Sequence, residues 1–323
     1  MVSFRSSTPL ALAALTAALV AVVPAQAANY PTKQIELIVP FAAGGGTDLM
    51  SRALADALKN HLPQPIGVVN KTGGGGAIGF AEMIAARPDG YRIGMGTVEL
   101  ATLPPLGIAS FKTSDLKYIA QLNNRPSAIT VRADAPWANV KEFLEFAKEN
   151  PGKIRIGNSG TGAIWHLAAA SLEQKTGIQF SHIPYDGAAP AVTALLGGHI
   201  EAVTVSSAEV WTHLQNGTLK ILAVMADERS KGCEDVPTLK ENGVDVQISA
   251  WMGVVVPKKT PQAVVDTLSA ALAKAVAEPS FVEVVKKLNM EVNYLDDKAF
   301  DTYVTEQSAF FDKLVGDLGL KKK

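Results

Sequence analysis

Two short stretches place neutral hydroxyls among glycines: Ala43-Gly44-Gly45-Gly46-Thr47-Asp48 and Asn158-Ser159-Gly160-Thr161-Gly162. Each lies between a β-prone run and a helical pattern, so each opens a helix. Such a loop leaves backbone N–H groups unpaired and adds the partial positive charge of the helix dipole. Glycines let a ligand approach the backbone closely, and Thr47, Ser159 and Thr161 supply hydroxyl donors. This is chemistry for holding an anion, with each helix terminus contributing about 0.3–2 kcal/mol. Two loops closing on one carboxylate, with hydroxyl and water contacts added, reach about −8 kcal/mol, a micromolar affinity. Glycines can also serve only tight packing of helix on strand, but two loops with hydroxyl neighbours favour the ligand reading.

Other chemistries fit less well. Gly74-x-Gly76-x-x-Gly79 matches a dinucleotide fingerprint, and Glu99 lies twenty residues beyond Gly79. However, two strand-like segments precede the match, and the reading leaves Gly44 to Gly46 idle. Gly157-Asn158-Ser159-Gly160-Thr161 misses the nucleophile elbow, because Thr161 stands where the last glycine is needed. His166 could serve Ser159 as a base, which makes an exported Ser/His hydrolase the alternative from a different class. No carboxylate to orient that histidine is evident. The five histidines show no paired metal-ligand spacing, and the single Cys233 builds neither a cluster nor an internal disulfide. The expectation is no catalytic residue, no metal and no cofactor.

Thirty basic residues against thirty-one acidic ones leave no surplus for a nucleic acid or an anionic membrane. The 323 residues suffice for two domains, and 47% apolar with 19% charged content describes a globular chain. Residues 1–27 read as an export signal: Arg5, an uncharged run from Leu10 to Val23, then Ala25-Gln26-Ala27. The run is short for a membrane span, so a periplasmic location is expected, with cleavage near Ala27. Nucleotide cofactors are scarce there, which weighs further against the dinucleotide reading.

The elements that position the loops repeat a strand–loop–helix module. Ile35 to Pro40 is followed by Met50, Leu54, Ala57 and Leu58 on one helical face, with Thr47 or Asp48 as N-cap. Ile66 to Val69 leads to Gly73–Gly76 and a second helix, and Tyr91 to Thr97 reads as the next strand. Lys153 to Gly157 precedes a helix with Ile164, Leu167, Ala168 and Leu172 on one side. Gln179 to Ile183 runs through Pro184-Tyr185-Asp186-Gly187 into another. Glu201 to Ser206 and Leu219 to Met225 read as further strands, and Pro257 onward as mostly helix. The pattern predicts an α/β fold with mixed, largely parallel sheets. The expected domains are 28–127 and 128–250, with 251–323 returning to the first, so two crossings form a hinge.

Several blocks together resemble the Bug/TctC proteins, extracytoplasmic solute receptors of tripartite tricarboxylate transporters. They are Tyr30-Pro31-Thr32-Lys33, Ile38 to Asp48, Val69 to Gly76, Ala86 to Tyr91, Gly160-Thr161-Gly162 with His166, Pro184 to Ala191, Leu196 to Glu201 and Asp235 to Thr238. The resemblance spans the mature chain. It implies a two-domain Venus-flytrap fold, type II-like among periplasmic binding proteins, that captures a small carboxylate in the interdomain cleft without chemistry. The ligand could be a di- or tricarboxylate, an aromatic acid or an acidic amino acid. The implied partners are the transporter's membrane subunits, with the receptor a monomer. The implied pincers are Phe41 to Asp48 and Ser159 to Gly162, with Gly45, Gly46 and Thr47 facing Ser159, Gly160 and Thr161. Phe41 and Gly44 belong to the first loop, Tyr185 lines the wall, and Asp48 caps its helix or holds a water.

Asp186 stands where the family often has a basic residue, and is expected to select an amino or hydroxyl group. Glu201 stands where Asp is usual. Thr97 ends the third strand at the ligand edge of the sheet, while Glu99 beside it is a poorer site residue because its charge opposes an anion. His166 reads either as a ligand donor or as a packed residue. Trp165 reads as rim or core, and Arg125 as a partner for a distal carboxylate or as a hinge salt bridge.

Overall fold

The structure, a computed structural model, describes residues 1–3, 30–230 and 232–321. Apart from its first three residues, the expected export signal lies outside them.

β1 (Ile35–Val39) is a short apolar run buried on both faces, as a central strand covered by helices requires. It pairs in parallel with β2 (Ile66–Asn70) and β3 (Arg92–Thr97). Between them run α1 (Gly46–Leu58) and α2 (Ala77–Ala85). α1 buries Met50, Leu54, Ala57 and Leu58, the face its spacing predicts. A four-residue α3 (Glu99–Thr102) follows β3. β4 (Leu116–Pro126) then carries the chain to the edge of the lobe, and after the single residue Ser127, β5 (Ala128–Arg132) begins a second sheet.

The second lobe adds α4 (Val140–Glu149), β6 (Arg155–Asn158), α5 (Ile164–Thr176) and β7 (Ser181–Pro184). It continues through α6 (Ala188–Leu196), β8 (Ala202–Val205), α7 (Ser207–Gln215) and β9 (Leu219–Val224). β10 (Ser249–Pro257) returns to the first sheet, followed by α8 (Gln262–Val276), α9 (Pro279–Lys287) and α10 (Asp297–Asp317).

The sheets have equivalent orders, β2-β1-β3-β10-β4 and β7-β6-β8-β5-β9. In each, the fourth strand runs against the other four, so the sheets are mixed with one prevailing direction. That reversed strand is in both cases one that enters from the other lobe. The crossings lie side by side: Ser127 N–H donates to Ile248 C=O at 2.8 Å, and Met225 N–H donates to Ser127 C=O at 2.8 Å. Because the prevailing strands end toward the opposite lobe, the loops after them and the helix N-termini they open meet between the lobes.

Candidate functional site

A cavity of about 20 Å³ lies between the lobes. The first lobe contributes Phe41, Gly45, Gly46, Thr47, Thr97, Glu99 and Arg125, and the second contributes Ser159, Ile164, Trp165, Ala188 and Glu209. Ala250, Trp251 and Met252, at the start of β10, complete the lining. That volume holds about one water, so a larger molecule enters only if the lobes part.

Four helices present their first turns here: α1 with Gly46 and Thr47, α5 with Ile164 and Trp165, α6 with Ala188 and α7 with Glu209. In none of them does the N-cap side chain accept from a backbone N–H of the first turn. Four positive dipole ends directed at one closed space favour negative charge there. Gly46 has a packing reason as well. A Cβ on it would lie 2.3 Å from Arg125 Nη1, so only glycine lets the guanidinium rest on the opening of α1.

Three ionisable side chains share the cavity. Arg125 Nη1 donates to Glu209 Oε1 at 2.9 Å and to Ser206 Oγ at 3.1 Å, joining β4 of one lobe to α7 of the other. The Arg125 and Glu209 side chains are 7% and 3% exposed. The Ser206 hydroxyl also donates to Glu209. Glu99 accepts from the Thr97 hydroxyl, and its Oε1 accepts from Ile164 N–H, at the start of α5 across the cleft, at 3.0 Å. Burial pushes the Glu99 carboxyl above its usual range, against the opposing pull of Thr97, Ile164 N–H and Arg125. Among the described residues, Ser159 Oγ, Trp251 Nε1 and Arg125 Nε are buried with no hydrogen-bond partner. Each is a donor that a water or a ligand entering the cavity can satisfy.

The chain matches the family described as "Tripartite tricarboxylate transporter family receptor" (TctC) over residues 50–320. The chain belongs to the TctC receptor family. It is 35% identical over 316 residues, 96% of either chain, to a UPF0065 protein from the gbd 5′ region of Cupriavidus necator. It resembles the crystal structure of a TctC solute binding protein from Polaromonas, solved with no ligand, at 49% identity and a TM-score of 0.66. That match covers 90% of this chain and 100% of the other. The periplasmic binding protein BugD matches at 34% identity and a TM-score of 0.86, covering 91% and 100%.

Of the residues singled out in this TctC-family sequence, Phe41, Gly45, Gly46, Thr47, Thr97 and Ser159 line the cavity, and so do Trp165, Arg125 and Glu99. Gly160, Thr161, Tyr185 and Asp186 lie elsewhere. With Gly74 and Gly75 they line a separate hollow of about 600 Å³, in which Asp186 is exposed. The facing of the loops therefore differs from the expected pincer. The first glycine loop meets the 186–189 turn, where Ala42 N–H donates to Asp186 C=O at 3.1 Å. The loop at Gly73–Gly76 meets Gly160–Gly162 instead. A Cβ on Gly160, whose φ is +119°, would come within 2.8 Å of Gly75 Cα. Thr102 Oγ1 adds a bond to Gly162 C=O at 3.1 Å.

Gly44 and Asp48 stand behind the loop and stiffen it. Asp48 accepts from Gly44 N–H and Arg52 Nε at 2.9 Å, and from Asn70 Nδ2 at 3.0 Å. Burial alone would raise this carboxyl, but the bonds from Arg52, Gly44 and Asn70 outweigh it and hold it below the usual range. Asp48 is the third residue of α1, and it ties down the N–H just ahead of the N-cap, as in half of a capping box. His166 lies outside the cavity lining: Nδ1 accepts from Gly162 N–H at 3.2 Å, and the ring packs edge-on against His182. Burial, aided by His182, lowers its pKa to about 4, against Glu173. Ser159 and His166 share no hydrogen bond: the Ser159 hydroxyl is unpartnered, and His166 Nδ1 accepts from Gly162 N–H.

The fingerprint glycines have packing roles. A Cβ on Gly79 would stand 2.8 Å from both Lys71 O and Pro40 Cα, where α2 crosses the end of β1. The sequence reading missed Ser206, Glu209 and Trp251. The first two carried a signal, since Ser206-Ser207-Ala208-Glu209 has capping-box spacing at the start of a helix.

Proposed function

We propose that this receptor captures a small organic carboxylate between its lobes in the periplasm, as a monomer, and presents it to the membrane subunits of a tripartite tricarboxylate-type transporter. No bond is made or broken. The observation that carries the reading is the convergence of four helix N-termini from both lobes on one closed cavity that also holds unpartnered buried donors. The moving bodies are 28–127 with 251–323, and 128–250. Their hinge lies where Ser127 hydrogen-bonds the returning chain. Ligand contacts to both bodies would favour the closed form, so affinity and closure are one free energy. The superpositions are consistent with such a hinge: the 49% identical Polaromonas protein superposes less well than the 34% identical BugD. Rotating one lobe lowers a global score without altering either lobe.

The test is a thermal-shift screen of the purified mature chain against dicarboxylates, tricarboxylates, aromatic acids and amino acids. A ligand at one hundred times its Kd stabilises by about 2.7 kcal/mol, which raises Tm by about 5 °C. A screen in which no acid raises Tm would sink the proposal. So would turnover of an ester or amide panel that vanished in Ser159→Ala.

A further inference from the structure

Charge matching inside the cavity narrows the ligand class, taking the carboxylate-receptor reading as given. Three of the four helix N-termini already carry one of the chain's own carboxyls, α1 through Asp48, its third residue, which accepts from Gly44 N–H. Glu99 Oε1 holds Ile164 N–H of α5 at 3.0 Å, and Glu209 is the third residue of α7, bonded to its N-cap Ser206. Glu209 also neutralises Arg125. The first turn of α6 remains, worth about half a positive charge, so with the free donors the cavity matches at most one ligand carboxylate. Ser159 Oγ, Trp251 Nε1 and Arg125 Nε are the buried donors free to hold its oxygens.

Glu99 bears on the other end of the ligand. It is 2% exposed, lines the cavity, and among the described residues makes no ion pair. A carboxyl group has about four acceptor positions; the Thr97 hydroxyl, Ile164 N–H and the backbone N–H of Glu99 itself take three, which leaves room for a further donor. A second ligand carboxylate next to it would have to share a proton with it or meet like charge in a space of low dielectric, whereas an ammonium group would add donors and hold Glu99 ionised.

We infer that Glu99 is the specificity-determining residue of this receptor, and that the cavity takes a small acid with one carboxylate and one amino group in preference to a dicarboxylate of equal length. The selecting acid is then Glu99 inside the cavity, not Asp186 in the outer hollow.

Isothermal titration of the full mature chain with matched pairs tests this: 3-aminopropanoate against malonate, 4-aminobutyrate against succinate, and 4-(aminomethyl)benzoate against terephthalate. The amino acid of the pair that fits should bind at least tenfold more tightly. Glu99→Gln should weaken it at least tenfold and bring the pair within about threefold. Tighter binding of the dicarboxylate by the wild type, or a preference unchanged in Glu99→Gln, overturns the inference while leaving the receptor reading intact. If that variant does not fold, the wild-type ratio decides alone. If every acid, amino or not, fails to bind, the receptor reading falls and takes this inference with it.

Discussion

Replacing Arg125 with methionine removes the cation from a bridge that spans the two lobes. Glu209 loses a partner at 2.9 Å while its side chain stays 3% exposed. Stripping one partner from a buried pair costs about 3–5 kcal/mol. Glu209 keeps the Ser206 hydroxyl and its place in the first turn of α7, which puts the cost at the lower end, about 3 kcal/mol. Once the lobes part, Glu209 is hydrated, so the cost falls on the closed form. Closure, and with it apparent Kd, should therefore weaken by about 100-fold, while Tm without ligand moves little. The assay is calorimetric titration with whichever acid stabilises the wild type, alongside small-angle scattering at saturation to read closure. The double variant Arg125→Met with Glu209→Met leaves no charge stranded and should recover to within about tenfold of wild type, since an apolar pair often replaces a buried ion pair without loss. A single variant within threefold of wild type, with no recovery in the double, would refute the argument that this bridge couples the lobes.

Ser159→Ala removes one unpartnered donor and should weaken ligand binding about tenfold, the worth of a hydrogen bond to a charged group; unchanged titration curves would take Ser159 out of the site. The folded chain keeps His166 neutral to about pH 4, whereas the unfolded chain protonates it near 6.5. Stability should accordingly fall as pH drops from 6.5 to 4, by about 3 kcal/mol. Urea unfolding across that range should show the slope, and His166→Gln, which keeps its neighbours His182 and Glu173, should flatten it. Gly79→Ala forces a Cβ against Lys71 O and Pro40 Cα and should destabilise by about 1–3 kcal/mol, with ligand affinity unaltered in the folded fraction. Equal urea midpoints for variant and wild type would contradict the packing role.

What could be read from the chain alone follows from what is local. β1, α1 and the glycine loops announce themselves through continuous apolar runs, helical spacing and residues that only a turn needs. β4 does not, because Gln121, Asn123, Asn124 and Arg125 look like surface residues. They are covered by distant chain: Gln121 bonds Asn293, and Asn124 bonds the Tyr303 hydroxyl. Which glycine loop faces which was equally hidden, since docking of the lobes decides it. Glu99 looked hostile to an anion site because the N–H that receives it, at Ile164, lies 65 residues further along. The burial of Cys233 was hidden too, and it pushes the thiol up.

The returning strand also fixes the order in which the protein can be assembled. β10 lies between β3 and β4 and is the neighbour that joins them, so the first sheet stays in two pieces until residues 249–257 have emerged. The second sheet is drawn entirely from residues 128–224, a continuous stretch with no such wait. The lobe whose strands are made first is therefore completed last, and its bare β3 edge is exposed longest during biogenesis.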